Sequence, residues 1–333
     1  MARPLLVRLP NWLGDLVQAW PVVRAAAEDR DRPAVFLGPA AFASIVMPRF
    51  PDVPYVPWSR PRRFAPLGAL KRHRPGTALL LTDSLSSALL VTLAGVPERV
   101  GYAAELRDAL LTKRVARRAP ARSRPRVEEY VALAEAAGLQ GLESLPRLEA
   151  LDTECARADS LLRSQGFAEE SYVAIAPGAS YGPAKRWAPE RFAALGKALF
   201  LREGTRTVLV GALEDREVAT AVADELGAMA LDLTGLTDLP TLVGILDRAR
   251  LTVSNDSGVM HVAAALGRPT VAVFGSTSPV WSSARAPWVR ALYAAYPCSP
   301  CFRRTCPIGY GCLHAIEAGE AITASEELLG GPR

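Results

Sequence analysis

In this 333-residue chain, carboxylates, cations and short hydroxyl side chains recur where an apolar run gives way to a helical one. The densest case is Asn255-Asp256-Ser257-Gly258, between an apolar run ending at Val253 and helix-forming residues from Val259 to Leu266. Short polar side chains at a helix start leave backbone N–H groups directed outward, and Gly258 lets a second group approach that backbone, so the turn suits a phosphate. Phe274-Gly275-Ser276-Thr277 repeats the device after the β-branched run Thr270 to Phe274. Two such loops at the carboxyl ends of adjacent strands would face one crevice, where open α/β sheets bind ligands. An ordinary well-capped helix explains either loop singly. The pair together favours a ligand.

Other candidates are spread along the chain. Pro10-Asn11-Trp12-Leu13-Gly14-Asp15 puts a carboxylate where a helix begins after the first strand. The macrodipole favours an acid there, so capping and function are both open for Asp15. Pro177-Gly178-Ala179-Ser180-Tyr181-Gly182-Pro183-Ala184-Lys185-Arg186-Trp187 ends in two cations, and its spacing excludes a Walker-type loop. Glu214, Asp215 and Glu217 follow another strand, a position from which carboxylates hold ribose hydroxyls. His261, one helical turn past Ser257, either reaches the crevice or is hydrogen-bonded inside a helix–sheet layer. Four of the five cysteines cluster at Cys298, Cys301, Cys306 and Cys312. The first pair has metal-ligand spacing and His314 could replace one thiolate, but the tighter later gaps favour a structural knuckle or buried thiols.

The elements that must position these residues alternate between strand and helix periods. Strands are expected at Pro4 to Leu9, Ala34 to Gly38 and Thr77 to Thr82, with helices at Leu16 to Ala27, Ala40 to Met47, Leu85 to Leu93 and Val127 to Ala137. Pro48 to Pro75 and Arg114 to Arg126 read as excursions outside the sheet. After a passage at Gly138 to Ala150, the rhythm restarts with a helix from Asp152 to Gln165. Strands at Tyr172 to Ala176, Thr207 to Gly211 and Met229 to Leu233 then alternate with helices at Pro189 to Leu201 and Leu239 to Ala249. The expectation is α/β: two doubly wound Rossmann-like domains, 1–150 and 151–333, facing across a cleft.

Half of the residues are hydrophobic and 22% are charged, which excludes global disorder. The most apolar region, Leu79 to Val96, is broken by Asp83, serines and Gly95, and Leu5-Leu6-Val7 is too short for a signal-peptide core. A soluble cytoplasmic protein is expected. The net charge of +5 is uneven: residues 1–150 carry 22 Lys and Arg against 14 Asp and Glu, whereas residues 151–333 carry 17 against 20. The excess lies in Arg60, Arg62, Arg63, Lys71, Arg72 and Arg74, and in a second patch of Arg107, Lys113, Arg114, Arg117, Arg118, Arg122, Arg124 and Arg126. Such a half suits nucleic acid, an anionic membrane face or an acidic substrate, or is a solvated arginine-rich surface. Scarce aromatics argue against a stacking platform for single-stranded nucleic acid.

The stretches Leu9 to Asp15, Gly178 to Trp187 and Asn255 to Gly267, with the terminal cysteine run, together resemble glycosyltransferase family 9, the lipopolysaccharide heptosyltransferases. Within that family the likeness is greatest to the heptosyltransferase II branch, on Pro10-Asn11-Trp12, the Tyr181-Gly182-Pro183-Ala184 insertion and the cysteine tail. The resemblance implies a GT-B fold with the acceptor on the N-terminal domain and the ADP-sugar on the C-terminal one. It implies an inverting, metal-independent transfer of heptose from ADP-heptose to the first heptose of the inner core, with no cofactor. Asp15 would be the general base, and Lys185 would neutralise the departing diphosphate. Asp256, Ser257 and Gly258 would form the phosphate turn, with Ser180, His261, Gly275 and Glu217, the favoured ribose carboxylate, completing the donor site. Asn11, Trp12, Arg60 and Arg63 are the acceptor-side candidates. Trp187 and Met260 read as packing, and Trp12 carries that reading too.

The implied acceptor is heptosyl-Kdo-lipid A at the cytoplasmic face of the inner membrane. The basic patches would then grip its phosphates or the anionic leaflet by peripheral contact, with nucleic acid no partner. The alternatives are a transferase with another nucleotide sugar or acceptor (heptosyltransferase I included), a UDP-sugar epimerase of similar fold, and an inactive nucleotide-sugar-binding paralogue. The presence of both Asp15 and Lys185 counts against the last.

Overall fold

Six short apolar runs of the first half become strands: β1 (Leu5–Arg8), β2 (Ala34–Pro39), β3 (Tyr55–Trp58), β4 (Thr77–Leu80), β5 (Glu98–Tyr102) and β6 (Lys113–Val115). They form one sheet in the order β3-β2-β1-β4-β5-β6, parallel at every pairing. The second half repeats the plan with β7 (Tyr172–Ala176), β8 (Arg206–Leu209), β9 (Ala230–Asp232), β10 (Leu251–Asn255), β11 (Thr270–Phe274) and β12 (Val289–Tyr293). Their order is β12-β11-β10-β7-β8-β9, again parallel throughout. In each sheet the chain winds to one edge, returns to the centre and winds to the other. The doubly wound α/β fold is therefore present twice.

The structure is a computed structural model describing residues 3–330 except 105, 119, 121 and 168–170, so the outermost residues of both expected domains lie outside the described residues. The chain divides into two compact units, Met1–Pro146 and Arg147–Arg333. Parallel crossovers put helices on both faces of a sheet, so central strands must be apolar on both sides. β1, β4, β7, β10 and β11 are buried along their whole length. In the first unit Leu6, Val35, Ala78 and Leu80 pack with Ala88, Leu90 and Val91 of the helix Leu85–Leu93. In the second, Val173, Ile175, Val253 and Val271 pack with Phe192, Leu195 and Leu199 of the helix Pro189–Glu203.

Several expectations are corrected. The two proline- and arginine-rich stretches are not wholly outside the sheet, because β3 lies in the first, β6 overlaps the start of the second, and the two form its outer strands. Pro57 is tolerated in β3 because an edge strand pairs along only one side. The helix expected from Leu16 to Ala27 is two helices, Leu13–Gln18 and Trp20–Glu28, the second starting with Pro21 in its first turn. β5, β12 and the final helix Ala318–Gly330 had no clear signal. β5 opens with Glu98 and Arg99, whose charges mask its period; Glu98 accepts a hydrogen bond from Thr77 at 2.7 Å.

Candidate active site

Strand order reverses between β7 and β10 in the second unit, so the loops leaving these neighbours diverge and open a crevice at their carboxyl ends. Asn255, the buried last residue of β10, ties the loop after β7 shut. Its Oδ1 accepts from the Trp187 backbone N–H at 2.9 Å and its Nδ2 donates to the Pro177 carbonyl at 2.7 Å. Gly178 backs onto the Asp215 carboxylate, where any Cβ would collide. Gly182 has φ +143°, and a Cβ there would lie 2.6 Å from the Arg304 carbonyl oxygen. These constraints deliver Lys185 to the end of β10.

There the Lys185 Nζ donates to Asp256 Oδ2 at 2.6 Å. Thr277 Oγ1 at 2.6 Å and Ser282 Oγ at 3.1 Å donate to the same oxygen. Burial would raise the Asp256 carboxyl, but the Lys185 charge and the hydrogen bonds from Lys185 and Thr277 outweigh it and hold the group below its usual range. His261 Nε2 lies 4.0 Å from Asp256 Oδ1. Burial pushes this imidazole down to about 4 against the attraction of Asp256, so it is neutral at pH 7.

Ser257 is the N-cap of the helix Gly258–Ala265 but does not cap it by its side chain, which pairs with Ser254 Oγ at 2.8 Å. The first-turn N–H groups therefore take no side-chain cap, the arrangement that attracts an anion. Ser257 and Gly258 are half-buried, and Ser180 is exposed. Gly275 differs from expectation. It is buried, a Cβ on it would meet the Ala184 carbonyl oxygen and Leu313 at 2.7 Å, and its carbonyl accepts from Ser299 at 2.6 Å. The turn after β11 thus buttresses Asp256 through Thr277 and is not a second open phosphate loop. Of the three carboxylates after β8, Asp215 is buried and receives the Ala212 N–H at 3.2 Å, while Glu214 and Glu217 are exposed.

The cysteine segment is distant in sequence yet lies against these loops. Tyr181 Oη donates to the Phe302 carbonyl at 2.6 Å, the Ala184 N–H to the Arg304 carbonyl at 3.0 Å, and the Phe302 N–H to the Ser276 carbonyl at 2.7 Å. Cys298 is exposed, Cys301 and Cys306 are partly buried, and Cys312 is buried. Among the described residues no group of three or more His, Cys, Asp or Glu is placed to hold a metal ion.

In the first unit strand order reverses between β1 and β4. Asp15 sits in the first turn of Leu13–Gln18, its Oδ1 3.7 Å from Arg126 Nε. Arg126 also pairs with Glu129 at 2.8 Å and donates to Tyr130 Oη at 3.1 Å. Arg117 bridges Glu129, at 3.1 Å, and Asp83; Arg107 pairs with Asp83 at 3.5 Å. Burial would depress Arg126, but Tyr130, Asp15 and Glu129 raise it above the usual range for arginine. The second basic patch is thus not uniformly a solvated surface: Arg107, Arg117 and Arg126 belong to this internal network.

Asn11 is exposed, with its Oδ1 accepting from the buried Arg8 at 2.7 Å. Arg8 stacks on Trp58 at 4.1 Å, and burial lowers it to about 10. Arg60 and Arg63 are exposed in the loop after β3. Trp12 is half-exposed, which overturns its packing reading, whereas Trp187 and Met260 are buried as expected. Sequence reasoning placed Arg126 only in a basic patch, without its pairing to Asp15, and missed Arg8 and Ser282 as site residues. The i,i+3 and i,i+4 spacing of Arg126 to Glu129 and Tyr130 was a usable signal; for Ser282 nothing local marks the contact.

A model of the family described as "Glycosyltransferase family 9 (heptosyltransferase)" matches residues 65–310. Lipopolysaccharide heptosyltransferase 2 of Salmonella typhimurium is 32% identical over 293 residues, covering 83% of this chain and 83% of that protein. Among solved structures, the E. coli ADP-heptose lipopolysaccharide heptosyltransferase II is similar with a TM-score of 0.79 at 28% identity, covering 98% of both chains. The E. coli heptosyltransferase WaaC, solved with ADP-2-deoxy-2-fluoro heptose, is similar in fold, with a TM-score of 0.71 at 20% identity over 97% of this chain and 99% of that one. The shared fold is of GT-B type.

Proposed function

The chain belongs to glycosyltransferase family 9, the heptosyltransferases, and from that premise we propose how its residues carry the transfer. It moves L-glycero-D-manno-heptose from ADP-heptose to the first heptose of the lipopolysaccharide inner core. The observation that carries the assignment of roles is Lys185 held on buried Asp256, beside a helix start that takes no side-chain cap. A diphosphate placed there meets an oriented ammonium and converging backbone N–H groups.

In the reaction the acceptor hydroxyl oxygen bonds to the anomeric carbon of the heptose while the bond from that carbon to the β-phosphate oxygen breaks. The configuration inverts. ADP leaves with the bonding pair, and Lys185 with the first-turn N–H groups of Gly258–Ala265 stabilise the charge it gains. The hydroxyl proton passes to Asp15, a weak base that suffices because bonding to an electron-poor carbon acidifies the hydroxyl late in the transfer. Asp256 positions Lys185. Ser180, Ser257, His261 and either Glu214 or Glu217 complete the donor site of the second unit. Gly275 serves it by close packing, and Asn11, Trp12, Arg60 and Arg63 serve the acceptor on the first. With these cations in place the transfer needs no metal and no cofactor.

The acceptor, a heptosyl-Kdo-lipid A glycolipid, places the protein at the cytoplasmic face of the inner membrane by peripheral contact. Among the described residues no helix is long and apolar enough to cross a membrane. The test is ADP release from ADP-heptose, with and without heptose-bearing acceptor, in EDTA, for the wild type and Asp15→Ala. Acceptor-dependent release that collapses in the variant, while ADP binding persists, supports the reading. Release without acceptor, or turnover only with a heptose-free acceptor or another sugar, overturns it.

A further inference from the structure

The loop from Pro177 to Trp187 ends in two cations, and each already has its acid. Lys185 sits on the buried Asp256 at 2.6 Å, and Arg186 pairs with the buried Asp215 at 3.4 Å. His261, beside Asp256, is neutral at pH 7. Both pairs are therefore without net charge. Lys185 still offers a directed donor, and the start of the helix Gly258–Ala265 contributes about half an elementary charge. A sugar diphosphate arrives with both phosphates ionised, and the departing one gains a further charge as its bond to the sugar breaks. Donors that orient it are in place, but these pairs do not balance its charge.

The cysteine segment brings a cation that is not balanced. Arg304 is exposed and pairs with no acid among the described residues. Its backbone is fixed beside the loop: its carbonyl accepts from the Ala184 N–H at 3.0 Å and passes where Gly182 has no Cβ, and the nearby Phe302 carbonyl accepts from Tyr181 Oη at 2.6 Å. The guanidinium carbon lies 5.3 Å from the Tyr181 ring centroid, and the Lys185 ammonium lies 4.9 Å from the same centroid. One aromatic ring thus holds an unbalanced guanidinium and the paired ammonium in the same neighbourhood. The bonds that fix Arg304 are made by its main chain, so the guanidinium can leave the ring for a phosphate. Its planar fork takes two phosphate oxygens at once.

We propose that Arg304 is a second diphosphate-binding cation of the donor site. It pairs with the departing phosphate and supplies the net positive charge that Lys185, balanced by Asp256, does not. The inference rests on the ADP-heptose reading and deepens it. The Tyr181 insertion and the cysteine segment then serve one purpose, since the first supplies the ring and the second the cation.

The test is titration calorimetry of the full chain with ADP and, separately, with AMP, joined to steady-state transfer from ADP-heptose. Variants are Arg304→Gln, Arg304→Lys and the control Arg303→Gln, whose arginine is an exposed neighbour in the same segment. Arg304→Gln should weaken ADP binding about tenfold and AMP binding less than about twofold, because AMP lacks the departing phosphate. Its kcat should fall as well. Arg304→Lys, which keeps the charge, should recover most of the ADP affinity, and Arg303→Gln should match the wild type. Wild-type ADP affinity and kcat in Arg304→Gln would overturn the proposal. So would an equal loss in Arg303→Gln, or an equal loss for ADP and AMP, which marks a disturbed loop and not a missing charge. The two readings fail separately: a wild-type protein that binds no ADP would sink the donor reading and this inference with it, whereas ADP binding indifferent to Arg304 would sink this inference alone.

Discussion

At the scale of single residues, the Lys185–Asp256 pair combines two jobs that a substitution separates. Asp256 is nearly inaccessible and its Oδ2 already receives Lys185, Thr277 and Ser282, so it orients the ammonium. Asp256→Asn should cost about 3 kcal/mol of stability, because it leaves a partly buried ammonium without its counter-charge. In folded protein kcat should drop more than tenfold, with a smaller change in ADP affinity. Titration calorimetry and steady-state rates together check this. His261 gives a pH signature. Its native value of about 4 lies below the ordinary 6.5, so the unfolded chain takes up its proton first as pH falls. That contribution is complete above 6.5 and is lost progressively toward 4. Asp256, held below its usual range, adds a further loss only as the pH drops below that of an ordinary carboxyl. Melting temperature should therefore fall through the window from 6.5 to 4, and His261→Asn should flatten this decline. An unchanged slope in the variant would assign the acid sensitivity elsewhere.

At the scale of elements, the loop from Pro177 to Trp187 is a rigid delivery arm. Gly182 requires its left-handed φ, and its missing Cβ admits the Arg304 carbonyl. Gly182→Ala should raise the KM for ADP-heptose severalfold and cost about 1–3 kcal/mol, with acceptor KM unchanged. Initial-rate kinetics varying each substrate separately would test it. This arm was legible in the sequence as a glycine- and proline-fixed loop ending in cations, because φ restrictions are local. The same holds for the phosphate turn after β10 and for the helix Leu85–Leu93. What lay hidden was set by tertiary contact. The turn after β11 carries the same residue types as a phosphate loop, yet Leu313 and Ala184 close over Gly275, a closure visible only once the cysteine segment folds back. β3 and β6 were obscured because edge strands need little burial and can carry prolines and arginines. Arg126 looked like surface charge until the first sheet brought Asp15 beside it.

At the scale of the whole molecule, the chain comprises two units, each with its own complete sheet and core. A ligand that binds one of them stabilises that unit by mass action, about 2.7 kcal/mol at a hundredfold excess over its Kd. Saturating ADP should therefore slow amide hydrogen exchange in the core of Arg147–Arg333, with the slowest amides of Met1–Pro146 unaffected. Equal slowing in both would show that their unfolding is coupled. Strand order carries a further consequence, for synthesis. The central contact of the first sheet pairs Leu5 with Thr77, and its last strand is Lys113–Val115. With parallel pairings throughout, no local hairpin can start either sheet, and long-range closure is slow. On the ribosome β1 can pair with β2 early but must wait for β4 on its other side, that flank open to misassociation, whereas the first unit can be complete before the residues that build the second have emerged.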